Sequence, residues 1–167
     1  MRRGFLAALA VASASFLVST AAADGAATLG PDSHLPVPRY VSLRTDSANG
    51  RHGPGADQRV DWVYDRAGLP LQVIGERGPW RRVRDPDGAE VWMHAQSLDP
   101  RRTVYLRQAA ALRRDPRGQS QPVAYLAVGV IGAITGCQGE WRRVAVGARV
   151  GWIENAALWG GDDCSGL

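Results

Sequence analysis

The tetrapeptide Trp80-Arg81-Arg82-Val83 occurs a second time in the chain, as Trp141-Arg142-Arg143-Val144, 61 residues later. Each copy is followed about a dozen residues on by another tryptophan, Trp92 in the first and Trp152 in the second. Self-similarity at this spacing is the signature of a repeat architecture. The chain therefore consists of two versions of one small module.

The repeat extends upstream of the tryptophan motifs at an offset of 61 or 62 residues. The matched pairs are Arg51 with Arg113, Pro54 with Pro116, Tyr64 with Tyr125, and Gly68 with Gly129. Changes of one residue in the offset belong in loops, which absorb them at little cost. We therefore predict a first module over residues 39–99 and a second over residues 103–160.

The N-terminus, residues 1–23, has the pattern of an export signal. Arg2 and Arg3 precede a short apolar run, and small residues offer a cleavage site between Ala23 and Asp24. Ordinary secretion and twin-arginine export both fit this pattern. Either route predicts a periplasmic or secreted protein without a stable membrane anchor after cleavage.

The segments outside the two modules show no hydrophobic period. Residues 24–38 are rich in Gly, Pro, Ala and Ser, which predicts a flexible leader, and residues 161–167 form a C-terminal tail. Without the signal, 18 arginines face 16 acidic residues and lysine is absent. This balance does not suggest nucleic acid as a partner. The exclusive use of arginine fits either codon bias or an anionic partner, since guanidinium groups bind carboxylates in pairs.

Two cysteines, Cys137 and Cys164, remain after removal of the signal. An even count in an oxidising compartment favours a disulfide, which would tie the tail to the second module. Closing a loop of 27 residues would stabilise the fold by roughly 3 kcal/mol. The alternative is one free thiol and a frayed tail.

Short alternating apolar segments predict an all-β fold. Val60, Trp62 and Tyr64 have the period of two that half-buried strands show. Residues 80–84 and 90–94 are β-forming and flank a turn with Pro and Gly, which is typical of a hairpin.

The same alternation assigns the hairpin side chains to two faces. Arg81 and Val83 are expected on the core face, and Trp80 and Arg82 on the other. Phenylalanine is confined to the signal, so the six tryptophans and the aliphatic residues are expected to supply the core. A module of this size buries only about 60% of its surface, so some tryptophan should stay partly exposed.

The order of these motifs resembles that of bacterial SH3 domains. Asn49-Gly50-Arg51-His52-Gly53-Pro54 resembles the segment that opens such domains, and Gly-x-Trp, basic residues, a turn and a tryptophan strand continue the pattern. The stretch from Gly151-Trp152-Ile153 to Leu158 is similar to their closing strand and single-turn helix. The chain departs from the family at Gly50 and at Asp115-Pro116. The resemblance implies two tandem SH3-like barrels, each a five-stranded small sheet folded on itself.

Trp80 and Trp141 are the leading candidates for ligand binding, because by resemblance they occupy the place of a ligand-contacting tryptophan. A rigid indole can stack on sugar, and the neighbouring Arg82 and Arg143 can hold a carboxylate. Arg51 is a further candidate, since its loop can shape a groove beside Trp80. The alternative interpretation is packing, in which each tryptophan covers a barrel mouth beneath arginine stems.

No catalytic, cofactor or metal site is predicted. Cys137 has no histidine near it in sequence, although a Cys–His pair across the modules stays open because such pairs meet in space. The cysteines and histidines lack metal-ligand spacing, and no glycine-rich phosphate loop occurs. The sequence therefore predicts a protein that is not an enzyme.

The resemblance implies a binding function, because SH3 domains on exported bacterial proteins are usually wall-targeting or ligand-binding modules. The expected ligand is a peptide or glycan of the cell wall (peptidoglycan). The alternative is a periplasmic interaction or assembly module that binds another protein, for example through a sheet edge. An enzyme is the third interpretation. Polyproline recognition is not expected, because the eukaryotic SH3 groove needs a Pro-Ser-Asn-Tyr segment in the closing region, where this chain has Glu154-Asn155-Ala156-Ala157.

Overall fold

The computed structural model describes residues 28–164. The predicted signal and its cleavage site, Ala23 and Asp24, lie outside the described residues, as does the end of the tail. Within residues 28–164 the regular elements are strands and two short 3-10 turns. The all-β prediction is confirmed.

A short N-terminal hairpin and a seven-stranded antiparallel sheet form the first part of the structure. The hairpin consists of β1 (Thr28–Leu29) and β2 (Pro36–Val37). The sheet strands are β3 (Arg39–Leu43), β4 (Ala48–Arg51), β5 (Val60–Tyr64), β6 (Pro70–Arg77), β7 (Trp80–Arg84), β8 (Glu90–His94) and β9 (Leu98–Asp99). Their order across the sheet is β5-β4-β8-β7-β6-β3-β9, and a 3-10 turn, Ala95–Ser97, joins β8 to β9.

The second module repeats this arrangement strand for strand. Its strands are β10 (Thr103–Leu106), β11 (Ala110–Arg113), β12 (Pro122–Leu126), β13 (Ile131–Gln138), β14 (Trp141–Val146), β15 (Arg149–Glu154) and β16 (Leu158–Trp159). Their order is β12-β11-β15-β14-β13-β10-β16, and a 3-10 turn, Asn155–Ala157, again precedes the last strand. The tandem repeat inferred from the tryptophan motifs therefore extends to the topology.

The sheets differ from the predicted five-stranded barrels in strand number and in closure. Among residues 28–164, β5 does not pair with β9, and β12 does not pair with β16, so each sheet is open in its hydrogen bonding. The closing strands β9 and β16 are only two residues long. A strand of that length has no period that a sequence pattern can detect.

The cores of both modules are aliphatic. Val83 and Val144 are fully buried and Arg81 is nearly so, as the alternation along the hairpin predicts. The expectation that tryptophans supply the core is wrong for most of them: only Trp159 is buried, and Trp62 is 59% exposed. The reason is the alternation itself, which places the repeated motif tryptophans on the strand face opposite the core valines.

Residues 28–38, which belong to the segment that composition predicts as a flexible leader, form a hairpin that contacts the first module. The turn of the hairpin donates three hydrogen bonds to the Glu76 carboxylate: from the Ser33 hydroxyl (2.6 Å), the Ser33 amide (2.9 Å) and the Asp32 amide (3.2 Å). The composition of the segment indicates only its own conformational propensity. It cannot predict a contact with an acceptor more than forty residues away along the chain.

The predicted disulfide between Cys137 and Cys164 is present and joins β13 to the tail. Further tail contacts come from Arg142, whose Nε donates to the carbonyl of Gly161, and from Arg102, which donates to the carbonyl of Asp163. The described part of the tail, residues 161–164, is therefore held against the second module by several bonds.

The two modules pack against each other. Trp159 meets the ring of Tyr40 edge-on at 5.2 Å between centroids, and Tyr105 and Ile131 pack against the first core. The Thr103 hydroxyl donates a buried hydrogen bond of 2.7 Å to the carbonyl of Gly68. Burial and the nearby Asp162 carboxylate raise the pKa of Tyr40 to about 12.

Candidate ligand grooves

A groove of about 310 Å³ lies beside Trp80 on the first module. It is lined by Ser47, Ala48, Asn49, Arg51, Trp80, His94 and Ser97. The structure therefore brings two sequence-predicted candidates, Trp80 and Arg51, to one site. We refer to these lining residues as the Trp80 groove.

The two rings of the Trp80 groove are positioned by the hairpin of β7 and β8. Trp80 begins β7 and His94 ends β8, and the two residues face each other in the strand register. Their rings meet edge-on at 5.4 Å between centroids. Gly78, which has a positive φ of 53°, makes the turn that delivers Trp80 to this edge, and most side chains would strain this backbone.

Arg51 lines the groove and also holds the loop that follows β4. Its Nη1 donates a hydrogen bond of 2.7 Å to the carbonyl of Gln58, across residues 52–57. The backbone of Arg51 faces Trp92 of β8 in the register, at a bulge in the pairing of β4 with β5. The guanidinium is thus fixed at the groove wall while most of its donors remain for other contacts.

The second module carries the same groove at the equivalent place, with a volume of about 240 Å³. We call it the Trp141 groove; it is lined by Gln108, Ala109, Ala110, Ala111, Arg113, Trp141, Glu154, Ala156 and Ala157. All of these except Gln108 and Ala156 correspond through the repeat to residues of the Trp80 groove. Arg113 also repeats the role of Arg51, since its Nη1 donates to the carbonyl of Ser120 at 2.8 Å.

The two grooves share their indole and guanidinium groups but differ in their other polar groups. Glu154 stands where the first module has His94, and it faces Trp141 in the register. Three polar residues of the Trp80 groove, Ser47, Asn49 and Ser97, correspond to alanines in the Trp141 groove. The geometry is thus duplicated while the chemistry has diverged.

Arg82, a predicted candidate, lies outside the Trp80 groove and is engaged by Glu90 at 2.6 Å. The same carboxylate accepts from Arg84, also at 2.6 Å. Hydrogen bonding from Arg84, together with the charge of Arg82, lowers the pKa of Glu90. These three residues form an ion-pair cluster on the outer face of the hairpin.

Arg143, the equivalent of Arg82, is exposed on β14 and also lies outside the Trp141 groove. The position that corresponds to Glu90 is occupied by Val150, which is 42% exposed. The acidic half of the ion-pair cluster is therefore absent from the second module at this position. Each tryptophan therefore shares its groove with the arginine that ends β4 or β11, and not with Arg82 or Arg143.

His94, Glu154 and Arg113 are groove residues that the sequence interpretation does not select as binding residues. A signal for them exists in the repeat. Arg113 matches Arg51, and the offset of 60 residues that relates Trp92 to Trp152 also relates His94 to Glu154. The repeat does not predict that these positions lie together around one indole.

Other kinds of site find little support in residues 28–164. Both cysteines are in the disulfide, so neither is present as a thiol. The described residues contain no group of three or more His, Cys, Asp or Glu side chains that could hold a metal ion. None of the helical segments in this part of the chain is long and apolar enough to span a membrane.

The family model described as the bacterial SH3 domain matches the chain twice, over residues 44–100 and 107–160. The protein therefore belongs to the bacterial SH3 domain family and carries two such domains in tandem. No curated protein matches the chain significantly.

Two solved structures that match are NlpC2 and NlpC1 from Trichomonas vaginalis, each with 15% sequence identity and a TM-score of 0.34. The matches cover 73% and 78% of this chain and 48% of each of those chains. This chain thus spans about half the length of either one.

Proposed function

We propose that the protein is an exported, non-enzymatic binding protein whose two SH3 domains recognise peptide or glycan of the bacterial cell wall. The observation that carries this proposal is the duplicated groove, in which Trp80 with Arg51 and Trp141 with Arg113 recur in one geometry. Repetition of a site in both domains favours a polymeric ligand with repeated units, because two weak sites on one chain bind such a ligand by avidity.

The groups in the grooves suit the chemistry of a wall polymer. Indole rings offer flat apolar surface to sugars and to peptide side chains. A guanidinium beside them can pair with the carboxylates that wall peptides carry. Trp80 and Trp141 are only half-buried, so part of each ring is available for such contacts.

Two features support export. The disulfide between Cys137 and Cys164 is typical of proteins in oxidising compartments, and residues 1–23 have the composition of an export signal. A periplasmic or secreted location brings the protein to the wall. We propose no cofactor for it.

Retention on purified peptidoglycan tests the proposal. The variants are Trp80→Ala, Trp141→Ala and the double variant, with Trp62→Ala as the matched control because Trp62 is exposed outside both grooves. We expect reduced retention for each single variant, loss for the double variant, and no change for the control. Thermal unfolding of each variant separates lost binding from lost fold. Absence of wild-type retention, or full retention of the double variant, would contradict the proposal.

A protein-binding or assembly module is the second candidate, and the exposed sheet edges favour it. β5 and β12 are the first strands in their sheet orders. They carry exposed apolar residues, with Val63 at 62%, Trp62 at 59% and Tyr125 at 80%. An extended segment of a partner protein can add to such an edge.

Cross-linking in intact cells distinguishes this second candidate from the first. A reproducible protein cross-link that Trp62→Ala and Tyr125→Ala abolish, in a chain that peptidoglycan does not retain, would favour the assembly module. The groove variants Trp80→Ala and Trp141→Ala should leave that cross-link intact.

A further inference from the structure

The Trp80 groove presents hydrogen-bond donors and a positive charge. The backbone amide of Gln96 donates to His94 Nδ1 at 3.3 Å, so a neutral imidazole carries its proton on Nε2 and can donate from there. Arg51 adds a guanidinium, and Asn49 adds an amide. No acidic side chain lines this groove.

The Trp141 groove presents a carboxylate instead. Glu154 occupies the cap position of the 3-10 turn, as His94 does in the first module, but its side chain makes no capping hydrogen bond. Glu154 is exposed, and it faces Trp141 across the strand pair. Its carboxylate therefore remains available to a ligand.

The two grooves also differ in the polarity of their walls. The alanines at 109, 111 and 157 cannot replace the polar groups of Ser47, Asn49 and Ser97. A carboxylate ligand in the Trp141 groove meets Arg113, the indole and the Gln108 amide as donors, but it is repelled by Glu154. An ammonium group there is repelled by Arg113, and it is attracted by Glu154 and by the neighbouring aromatic ring.

We infer that the two grooves select oppositely charged groups: the Trp80 groove takes a carboxylate, and the Trp141 groove takes an ammonium group. This inference rests on the proposed function only in that both grooves bind ligand. The protein would then discriminate between a wall peptide's acidic and amino groups by using a different domain for each.

Charge-matched dipeptide probes test the inference. Acetyl-alanyl-alanine carries a carboxylate and no amine, alanyl-alanine amide carries an ammonium group and no carboxylate, and acetyl-alanyl-alanine amide is neutral. Binding is followed through the indole N–H signals in NMR spectra of the disulfide-bonded protein. Spectra of Trp80→Phe and Trp141→Phe assign the two relevant signals.

We expect the Trp80 signal to titrate with the carboxylate probe at a concentration at least about fivefold lower than with the ammonium probe. The Trp141 signal should show the opposite order. Glu154→Gln should remove the ammonium preference at Trp141, and His94→Glu should weaken carboxylate binding at Trp80. Glu90→Gln, which also removes one carboxylate but lies outside both grooves, should change neither.

The outcomes separate the inference from the proposed function. Equal responses of both signals to both charged probes, or no response to either, would overturn the charge selection even if peptidoglycan retains the protein. Opposite preferences at the two indoles would support the charge selection even if peptidoglycan retention fails. His94→Glu removes the group that caps the 3-10 turn Ala95–Ser97 and can disturb that turn. Glu154→Gln does not have this problem, because Glu154 is exposed and its side chain caps nothing.

Discussion

Each module holds one terminal segment of the chain, the N-terminal hairpin in the first and the C-terminal tail in the second. Both segments are held at the same strand position, but by different interactions. Glu76 in β6 and Cys137 in β13 are equivalent, since they face Arg81 and Arg142 in the same register. Glu76 holds the N-terminal hairpin through hydrogen bonds from Asp32 and Ser33, whereas Cys137 holds the C-terminal tail through a covalent bond.

The arginine that faces this position is common to both modules. Arg81 Nη1 donates to the carbonyls of Gly78 and Trp80, and Arg142 Nη1 makes the equivalent bonds to Gly139 and Trp141. Only the partner of Nε differs: the Glu76 carboxylate at 3.4 Å in the first module and a carbonyl of the tail in the second. The arginine and its backbone acceptors are therefore common to both domains, and each terminal segment interacts with this position in its own way.

Removal of the Glu76 carboxylate should have the largest effect on stability. The side chain is inaccessible to solvent and pairs with Arg39 at 2.8 Å. Glu76→Ala leaves Arg39 and Arg81 without this acidic partner and Ser33 without its acceptor, so we expect a loss of about 3–5 kcal/mol in unfolding free energy. Urea denaturation measures the loss, and hydrogen exchange should show faster exchange over residues 28–38.

Glu90→Ala is the matched control, because its ion pairs with Arg82 and Arg84 are exposed. Exposed pairs contribute little to stability. Equal destabilisation by the two variants would mean that the Glu76 carboxylate does not hold the hairpin.

Loss of the covalent tie should have the next largest effect. Replacing Cys137 and Cys164 together by serine opens a loop with a sequence separation of 27, which corresponds to about 3.5 kcal/mol of stabilisation in the loop-entropy description. Urea denaturation compares the variant with the oxidised protein. Adding a reductant should reproduce the loss in the wild type and leave the variant unchanged; a reductant effect on the variant would argue against the disulfide as its cause.

Acid should weaken the interaction of Glu76 with the N-terminal hairpin and leave the disulfide of the C-terminal tail intact. Burial opposes ionisation of Glu76, but hydrogen bonds from Ser33, Arg39 and Asp32 outweigh it and lower the pKa of Glu76 from 4.5 to about 2. The ionised form is thus favoured by folding. Its stabilisation, about 3 kcal/mol, is complete above pH 4.5 and is lost as the pH falls from 4.5 through 2.

Urea midpoints between pH 5 and pH 2 measure this contribution of Glu76. The wild type should lose stability more steeply than Glu76→Gln over that interval, because the amide does not titrate. Parallel curves for the two proteins would show that Glu76 is not the group responsible.

A methyl group at Gly30 should have the smallest of these effects. A Cβ there would overlap the Glu76 carboxylate, so Gly30→Ala forces the hairpin or the carboxylate to move. Such overpacking costs about 1–3 kcal/mol. Gly118→Ala is the control, since nothing lies within 4 Å of its Cβ position. Thermal unfolding compares the two, and an effect confined to Gly118→Ala would contradict the proposed contact.

The features that depend on local pattern and on repetition follow from the amino-acid sequence alone. The doubled Trp-Arg-Arg-Val motif predicts two modules, and the alternation along β7 and β14 correctly places Val83 and Val144 in the cores. The presence of only two cysteines in the sequence predicts their disulfide, since no other pairing is possible. These predictions succeed because neighbouring residues impose the period of a strand directly on the chain.

Which distant groups meet becomes apparent only in the folded structure. That structure brings Glu76 to the hairpin, Arg51 rather than Arg82 to Trp80, and Glu154 to the groove where the first module has His94. Such contacts depend on strand order and on register across the sheet. A side chain's neighbours there come from strands far away in sequence, and no local pattern specifies them.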